Sequence, residues 1–240
     1  MGERVIVGWS GGKDSAFALH EVLRDDRYQV AGLLTTVTSG YDRISMHGVR
    51  RSLLRRQAEA LGLQLWEAVI PIKASNLEYE TQMGSTLAGV RSQFPEVSSC
   101  IFGDLFLEDI RAYRERMLGQ IGMRGIFPLW RRDTAVLARE FIRLGYKAVV
   151  VCVDTAVLPQ RFAGMEFDED LLRSLPAGID PCGENGEMHT FVYDGPIFAK
   201  PIGCTRGQVV LRDGRFAFCD LLGEATENSG GPPERHAGDV

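Results

Sequence analysis

Six residues near the start of the chain, Ser10-Gly11-Gly12-Lys13-Asp14-Ser15, have the composition of an anion site. Gly11 and Gly12 lack a Cβ, so backbone N–H groups can turn inward and a ligand can come close. Lys13 brings a full positive charge, and Ser10 and Ser15 bring hydroxyl donors. An apolar run from Arg4 to Trp9 precedes them and a helical pattern from about Asp14 to Asp25 follows. A helix starting there would aim its unpaired N–H groups and the positive end of its dipole at the same point. The expected occupant is a phosphate chain. Spacing excludes two familiar cradles. A Walker loop needs a glycine where Val7 stands and a hydroxyl residue where Asp14 stands. The dinucleotide pattern G-x-G-x-x-G fails because Gly8, Gly11 and Gly12 have the wrong intervals.

A second dense stretch, GIDPCGENGEMHTFVYDGP, gathers Asp180, Glu184, Asn185 and Glu187 with His189 and Thr190 ahead of a strand pattern. Carboxylates beside an imidazole can bind a metal, hold a cationic substrate or move protons. A polar turn with a histidine satisfied by backbone is the competing reading. Cys182 lies inside the stretch, but flanking carboxylates raise a thiol's pKa and no second cysteine stands nearby, which argues against a nucleophile. His47 is placed to reach a nucleotide or to cap the following helix; His20 reads as structural and His236 as part of a tail. Trp9, Phe17 and Trp130 read as packing residues.

These residues need a scaffold that brings them together. Apolar runs alternate with helical patterns, the signature of βαβ units around a parallel sheet. Strands are expected at Arg4 to Trp9, Gln29 to Val37, Leu63 to Ile70, Ser99 to Phe106, Ile126 to Leu129 and Lys147 to Val153. Helices are expected over Asp14 to Asp25, through Val49, Leu53, Leu54, Ala58 and Leu61, over Ser75 to Phe94 with Leu77, Leu87 and Val90 inward, through Ile110, Tyr113, Met117 and Ile121, and over Thr134 to Leu144. Beyond Asp154 the pattern changes to a short helix at Asp168 to Leu175, a strand at HTFVYDG and a hairpin turning at Asp213-Gly214. The expected organisation is a nucleotide-binding α/β domain over 1–153, a smaller α+β substrate domain over 154–222 and a disordered tail over 223–240, the last rich in Gly, Pro and charge. Ligands of open α/β sheets collect at the carboxyl ends of strands where strand order reverses. Ser10 to Ser15, TTVTSGYDRISMHGV, GDLFLED and VDTAVLP all lie at such ends, so their polar residues should converge on one nucleotide.

Composition fits this plan. The 240 residues can bury a substantial core, and 27 basic against 32 acidic residues leave a net charge of -5, a field that does not attract nucleic acid. The arginines at 50, 51, 55 and 56 read as the solvated face of a helix. Five widely spaced cysteines without a C-x-x-C argue against a disulfide framework and a four-thiolate metal site. No apolar run approaches the ~18 residues of a membrane span and no leader pattern opens the chain. A cytoplasmic setting is expected.

Two resemblances follow from the motifs. Ser10 to Ser15 resembles SGGKDS, the pyrophosphate loop of the ATP pyrophosphatase superfamily, in which ATP is cleaved between its α and β phosphates. Together with His47-Gly48-Val49, GDLFLEDIRAYRER from Gly103, PLW at Pro128 and DPCGENGEMHTFVYDGP, it resembles the diphthine ammonia ligase family and its bacterial relatives over about Arg4 to Leu222. The resemblance implies a HUP-like nucleotide-binding fold, a C-terminal substrate domain, and conversion of a carboxylate, ATP and ammonium to an amide, AMP and pyrophosphate. It implies ATP and Mg²⁺ at Ser10, Gly11, Gly12, Lys13, Asp14, Ser15, His47 and Asp104, with Asp14 as the nearest metal ligand. It implies the second substrate at Asp180, Glu184, Asn185, Glu187 and His189, with Lys13, Glu184 and Glu187 catalytic. Met188 stands where the family usually has phenylalanine, an apolar exchange. GDLFLEDIRAYRER is worded as in the bacterial branch, so the carboxylate stays open: diphthine on elongation factor, or another acid. A homo-oligomer also stays open. The rivals are an ATP pyrophosphatase acting on a small molecule or RNA, which would be expected to carry paired cysteines or a basic RNA-binding module, and a non-catalytic ATP-binding regulator.

Overall fold

The computed structural model describes residues 2–40, 42–44 and 47–223. The first strand, β1 (Glu3–Gly8), is followed directly by the six-residue turn and α1 (Lys13–Leu23). Next come β2 (Tyr28–Thr38), the two-residue β3 (Arg43–Ile44), α2 (Arg51–Leu61), β4 (Leu65–Ile70) and α3 (Asn76–Gln93). Then follow β5 (Ser99–Ile101), α4 (Glu108–Gly119), β6 (Arg124–Ile126), α5 (Thr134–Arg143) and β7 (Lys147–Asp154). A 3-10 turn at Gln160–Phe162, α6 (Glu169–Ser174), β8 (Met188–Asp194), β9 (Cys204–Arg212) and β10 (Phe216–Gly223) complete the described chain. The expected tail and His236 lie outside the described residues, apart from Gly223, which ends β10.

β4, β2, β1, β5 and β6 pair in parallel in that order, and β3 adds an antiparallel step to the end of β2. Alternation along β1 gives the sheet two apolar faces. Val5 and Val7 pack with Phe17 and Leu19 of α1, Leu53 and Leu54 of α2, and Leu137 and Phe141 of α5. Ile6 points the other way, joining Met83, Leu87 and Val90 of α3 and Met117 and Leu118 of α4. Helices therefore cover both faces, as an α/β parallel sheet requires. Leu77, expected inward, is 73% exposed, because Met83, Leu87 and Val90 supply the buried side of α3 instead. β5 stops at Ile101, well short of Phe106.

β7 corrects the sequence reading. It leaves the parallel sheet and pairs antiparallel with β8 on one side and β10 on the other, in a second sheet of order β8, β7, β10, β9. Its apolar length reflects burial in this sheet, whose inner residues share one hydrophobic cluster with α1, α2 and α5. The polar end of β7 accordingly stays away from the nucleotide loops: Asp154 pairs with Arg215 at 2.6 Å. The hairpin at its far side turns as expected, with Asp213 and Gly214 both at positive φ and Arg215 N donating to Arg212 O.

The second sheet also grips the turn after β1. Val192 N donates to Gly11 O at 2.9 Å, and Lys13 N donates to Thr190 Oγ1 at 3.0 Å. Gln57, on the apolar stripe of α2 and fully buried, donates to Gly11 O and to Val192 O and accepts from Trp9 Nε1. β8 and α2 thus fix one loop between them.

Candidate active site

β1 ends at the centre of the parallel sheet, with β2 on one side and β5 on the other, which is where the strand order reverses. Gly11 takes φ +79°, a conformation costly to other residues, and a Cβ there would lie 2.7 Å from Gln57 Oε1. The helix that follows has Gly12 at its N-cap with no side-chain cap, so its N-terminal groups face the turn. Ser10 Oγ accepts from Gly12 N at 3.2 Å and sits 3.2 Å from Ser15 Oγ. Gly103, after β5, packs directly on this helix start: a Cβ on it would come within 2.6 Å of the Asp14 carbonyl.

A cleft of about 380 Å³ opens above these loops. Ser10, Lys13, Asp14 and Ser15 line one wall, Thr35 and His47 another, Gly103, Asp104 and Arg114 a third, and Glu184, on the loop before β8, closes it with His189 and Thr190 of β8. Lys13 is 2% exposed. Its ammonium donates to both Asp14 oxygens, at 2.6 and 2.8 Å, and to the Cys182 carbonyl. Burial disfavours its charge, but Asp14, with smaller contributions from Cys182 and Glu184, outweighs this and raises its pKa. Lys13 is therefore a charged, fixed donor at the mouth of an uncapped helix.

Glu184 reaches across to the β5 loop, where its Oε1 accepts from Leu105 N at 2.7 Å. Burial pushes its pKa up to about 7, and the carboxylates of Asp14 and Asp104 push the same way. It is thus a carboxyl group able to exchange a proton near neutrality. Asp104 is held by Arg114, Oδ2 to Nε at 2.8 Å. His47 Nδ1 lies 3.2 Å from Thr190 O, and its ring centroid is 4.7 Å from that of His189. Burial, with His189 alongside, pulls His47 down to about 3; burial pulls His189 down to about 4. Both imidazoles are neutral at physiological pH.

The structure separates the other members of the GENGE stretch from the cleft. Glu187 is buried and its carboxylate accepts from Asp180 N, Asn185 N and Asn185 Nδ2. Asp180 Oδ2 accepts from Glu184 N at 2.8 Å. Asp180, Asn185 and Glu187, read from the sequence as substrate contacts, bond the backbone and side chains of their own turn and do not line the cleft, whereas Glu184 does. Cys182 donates to Thr134 O, and burial pushes its thiol up to about 12, against the thiolate a nucleophile needs. His47 does not cap α2, whose N-cap is Arg50. His20 is structural, bonded to Tyr146 at 3.0 Å. Arg51 and Arg55 share Glu67, and Arg50 shares Asp220 with Arg43.

Gln57 and Arg114 were not singled out individually from the sequence, while Thr35 opens a stretch expected at the nucleotide. Gln57 had a signal: it stands four residues from both Leu53 and Leu61 on the apolar stripe of α2, where an amide needs partners. Thr35 opens the TTVTSG stretch expected to reach the nucleotide, and its hydroxyl, 3% exposed, lines the cleft with no hydrogen-bond partner among the described residues. Arg114 sat in a charged helix and carried no mark. The unsatisfied Thr35 hydroxyl, the uncapped helix and Lys13 together fit a polar, phosphate-bearing ligand. Among the described residues no three His, Cys, Asp or Glu side chains form a metal cage. Asp14 and Asp104 on one cleft do suit an ion of the Mg²⁺ kind, which takes one or two carboxylates and shares the ligand's phosphates.

Comparison with known proteins gives the same relationship from two sides. The diphthamide synthase N-terminal domain model matches residues 3–125 and the diphthamide synthase C-terminal domain model matches residues 133–216. The diphthine–ammonia ligase of Danio rerio is 28% identical over 238 residues, covering 91% of this chain and 93% of that protein. The Homo sapiens diphthine–ammonia ligase is 25% identical over 228 residues, 87% of this chain and 85% of its own. The Schizosaccharomyces pombe protein of the same name is 27% identical over 217 residues, 84% of this chain but 36% of that longer protein. Among the described residues no helix is long and apolar enough to cross a membrane.

Proposed function

The chain belongs to the diphthamide synthase family, and on that premise we propose that it is an ATP-dependent ligase that amidates the carboxylate of diphthine on an elongation factor. The observation that carries the reading is the placing of Lys13, at the start of α1, and Glu184, on the loop leading into β8, on one cleft. Pyrophosphate release and amide formation need those two kinds of group side by side.

A carboxylate is a poor acyl donor because its leaving group would be oxide. One carboxylate oxygen attacks the α phosphorus of ATP, the bond to the β-bridging oxygen breaks, and pyrophosphate leaves with the electron pair. Lys13, the backbone amides of Gly11 and Gly12 and the hydroxyls of Ser10 and Ser15 stabilise that leaving charge, an electrostatic contribution that is usually the largest in such a step. Lys13 exchanges its Asp14 contact for phosphate oxygens as the nucleotide enters. Asp14 and Asp104 would hold a Mg²⁺, which would supply further neutralisation of the phosphates. Ammonia then attacks the acyl carbon, AMP departs, and the surplus proton on nitrogen passes to Glu184. His189, neutral and on the same wall, lies beside the acyl group, and Asp180, Asn185 and Glu187 act by positioning Glu184. The setting is the cytoplasm, where the elongation factor is.

The test is direct. With ATP, Mg²⁺, ¹⁵N-ammonium and diphthine-bearing elongation factor, mass spectrometry should find ¹⁵N amide on the factor. The Lys13→Ala protein should leave the factor unchanged. Absence of amide with the unaltered chain, or amide formed equally by Lys13→Ala, would refute the assignment.

A further inference from the structure

Two cation–carboxylate pairs line the nucleotide cleft. In the first, Lys13 donates to both oxygens of Asp14, at 2.6 and 2.8 Å. In the second, Arg114 of α4 lies against both oxygens of Asp104: Nη2 donates to Oδ1 at 3.2 Å, and Nε is 2.8 Å from Oδ2. The two pairs are neighbours. Gly103 packs on the start of α1, where a Cβ on it would lie 2.6 Å from the Asp14 carbonyl, and Asp104 is the next residue.

The second pair is only half made. Nε and Oδ2 are close enough for charge attraction, but the N–H is turned off the line between them, and neither buried atom has a hydrogen-bond partner among the described residues. Thr35 Oγ1, on another wall of the cleft, is in the same condition. Of the four buried side-chain N or O atoms without a partner among the described residues, three therefore belong to residues lining this cleft. Buried polar atoms are costly to leave unpaired, so their gathering in one place marks partners that a ligand brings. The guanidinium indicates which ligand. Its bond to Asp104 Oδ1 is the only hydrogen bond it makes among the described residues, and it stacks with Cζ 4.3 Å from the centre of the Phe102 ring. Stacking holds a guanidinium without occupying an N–H. Donors remain, in a planar fork that matches two oxygens of a phosphate.

We propose that Arg114 binds phosphate oxygens of the nucleotide, and that it does so by giving up Asp104 as Lys13 gives up Asp14. Both cations pass to the phosphates, and both carboxylates are released together toward the divalent ion that accompanies them. Until the nucleotide enters, each carboxylate is neutralised by its own cation, so the protein holds a divalent ion weakly without nucleotide. The exchange rests on the nucleotide reading of the cleft given above and is independent of which acid is amidated.

The test reads the two halves of the exchange separately, because they move in opposite directions. Arg114→Met keeps an unbranched stem that can cover Phe102 and removes the charge. Arg111→Met is the control: it removes a guanidinium of the same helix that stacks on Phe127 and Trp130 and does not line the cleft. Calorimetry gives the affinity for α,β-methylene-ATP at saturating Mg²⁺, and electron paramagnetic resonance gives the affinity for Mn²⁺ alone, without nucleotide. Arg114→Met should weaken the nucleotide by at least about tenfold and tighten Mn²⁺ by about tenfold, since the Asp104 charge is then unopposed. Adding Asp104→Asn to Arg114→Met should cancel the gain in Mn²⁺ affinity. Arg111→Met should change neither affinity by more than about twofold. A pair that merely braces the fold would lose both affinities together when broken. Unchanged nucleotide affinity in Arg114→Met, or Mn²⁺ affinity that stays level or falls, would overturn the exchange and leave the nucleotide reading standing. Failure of the unaltered chain to bind the ATP analogue would overturn both.

Discussion

Replacing Gln57 with leucine should damage the nucleotide loop from beneath it. The amide is fully buried and joins Trp9 Nε1 at 2.9 Å, Gly11 O at 3.0 Å and Val192 O at 2.6 Å. Leucine fills much the same volume but can make none of these bonds. Gly11 O keeps its bond from Val192 N, so the main loss is the Trp9 indole N–H, on a residue 2% exposed, with a smaller loss at Val192 O. An orphaned buried donor costs about 1–3 kcal/mol and a lost bond about 0.5–1.5, giving roughly 2–4 kcal/mol in all. Urea unfolding monitored by circular dichroism should show that loss. Because the same amide fixes Gly11 against β8, ATP affinity should fall as well, by about tenfold or ~1.4 kcal/mol. A stability change under about 0.5 kcal/mol would refute the hydrogen-bond accounting. Full destabilisation with unchanged ATP affinity would refute the claim that Gln57 positions the loop.

Further outcomes follow from the same geometry. Gly103→Ala sets a Cβ within 2.6 Å of the Asp14 carbonyl, a backbone contact that cannot yield locally; overpacking of this kind costs about 1–3 kcal/mol, and calorimetry should find it together with weakened ATP binding. Glu184 has its folded pKa raised from 4.5 to about 7, so the native state keeps a proton that the unfolded chain releases. The stability this contributes is complete below pH 4.5 and is lost as pH rises through about 7. Thermal midpoints should fall across that window, and Glu184→Gln, which cannot titrate, should flatten the decline. Cys182, with its thiol pushed up to about 12, should resist iodoacetamide at neutral pH, and Cys182→Ser should retain most of its turnover; fast alkylation with loss of activity would restore it as a nucleophile candidate.

The parts legible in the sequence were those where a short-range pattern carries its own physics. The turn after β1 announces itself because glycines, a lysine and hydroxyls have few joint uses other than holding an anion, and Asp213-Gly214 because a tight hairpin needs two residues at positive φ. β7 misled because a buried central strand is equally apolar in a parallel and in an antiparallel sheet, and only its partners β8 and β10, more than thirty residues downstream, decide between them. Asp180, Asn185 and Glu187 show a related ambiguity. A polar cluster looks the same whether its carboxylates face a ligand or the N–H groups of their own turn, and the difference is set by where the backbone bends at Gly183 and Gly186.

The central claim is that the turn at Ser10 to Ser15 grips the phosphates so that ATP is cut next to its α phosphorus. Phosphorus NMR of the reaction with ATP, Mg²⁺, ammonium and the diphthine-bearing factor resolves the products without a coupled assay. AMP and pyrophosphate should appear in equal amounts and should vanish in Lys13→Ala. ADP with orthophosphate, or AMP formation undiminished in Lys13→Ala, would contradict the account.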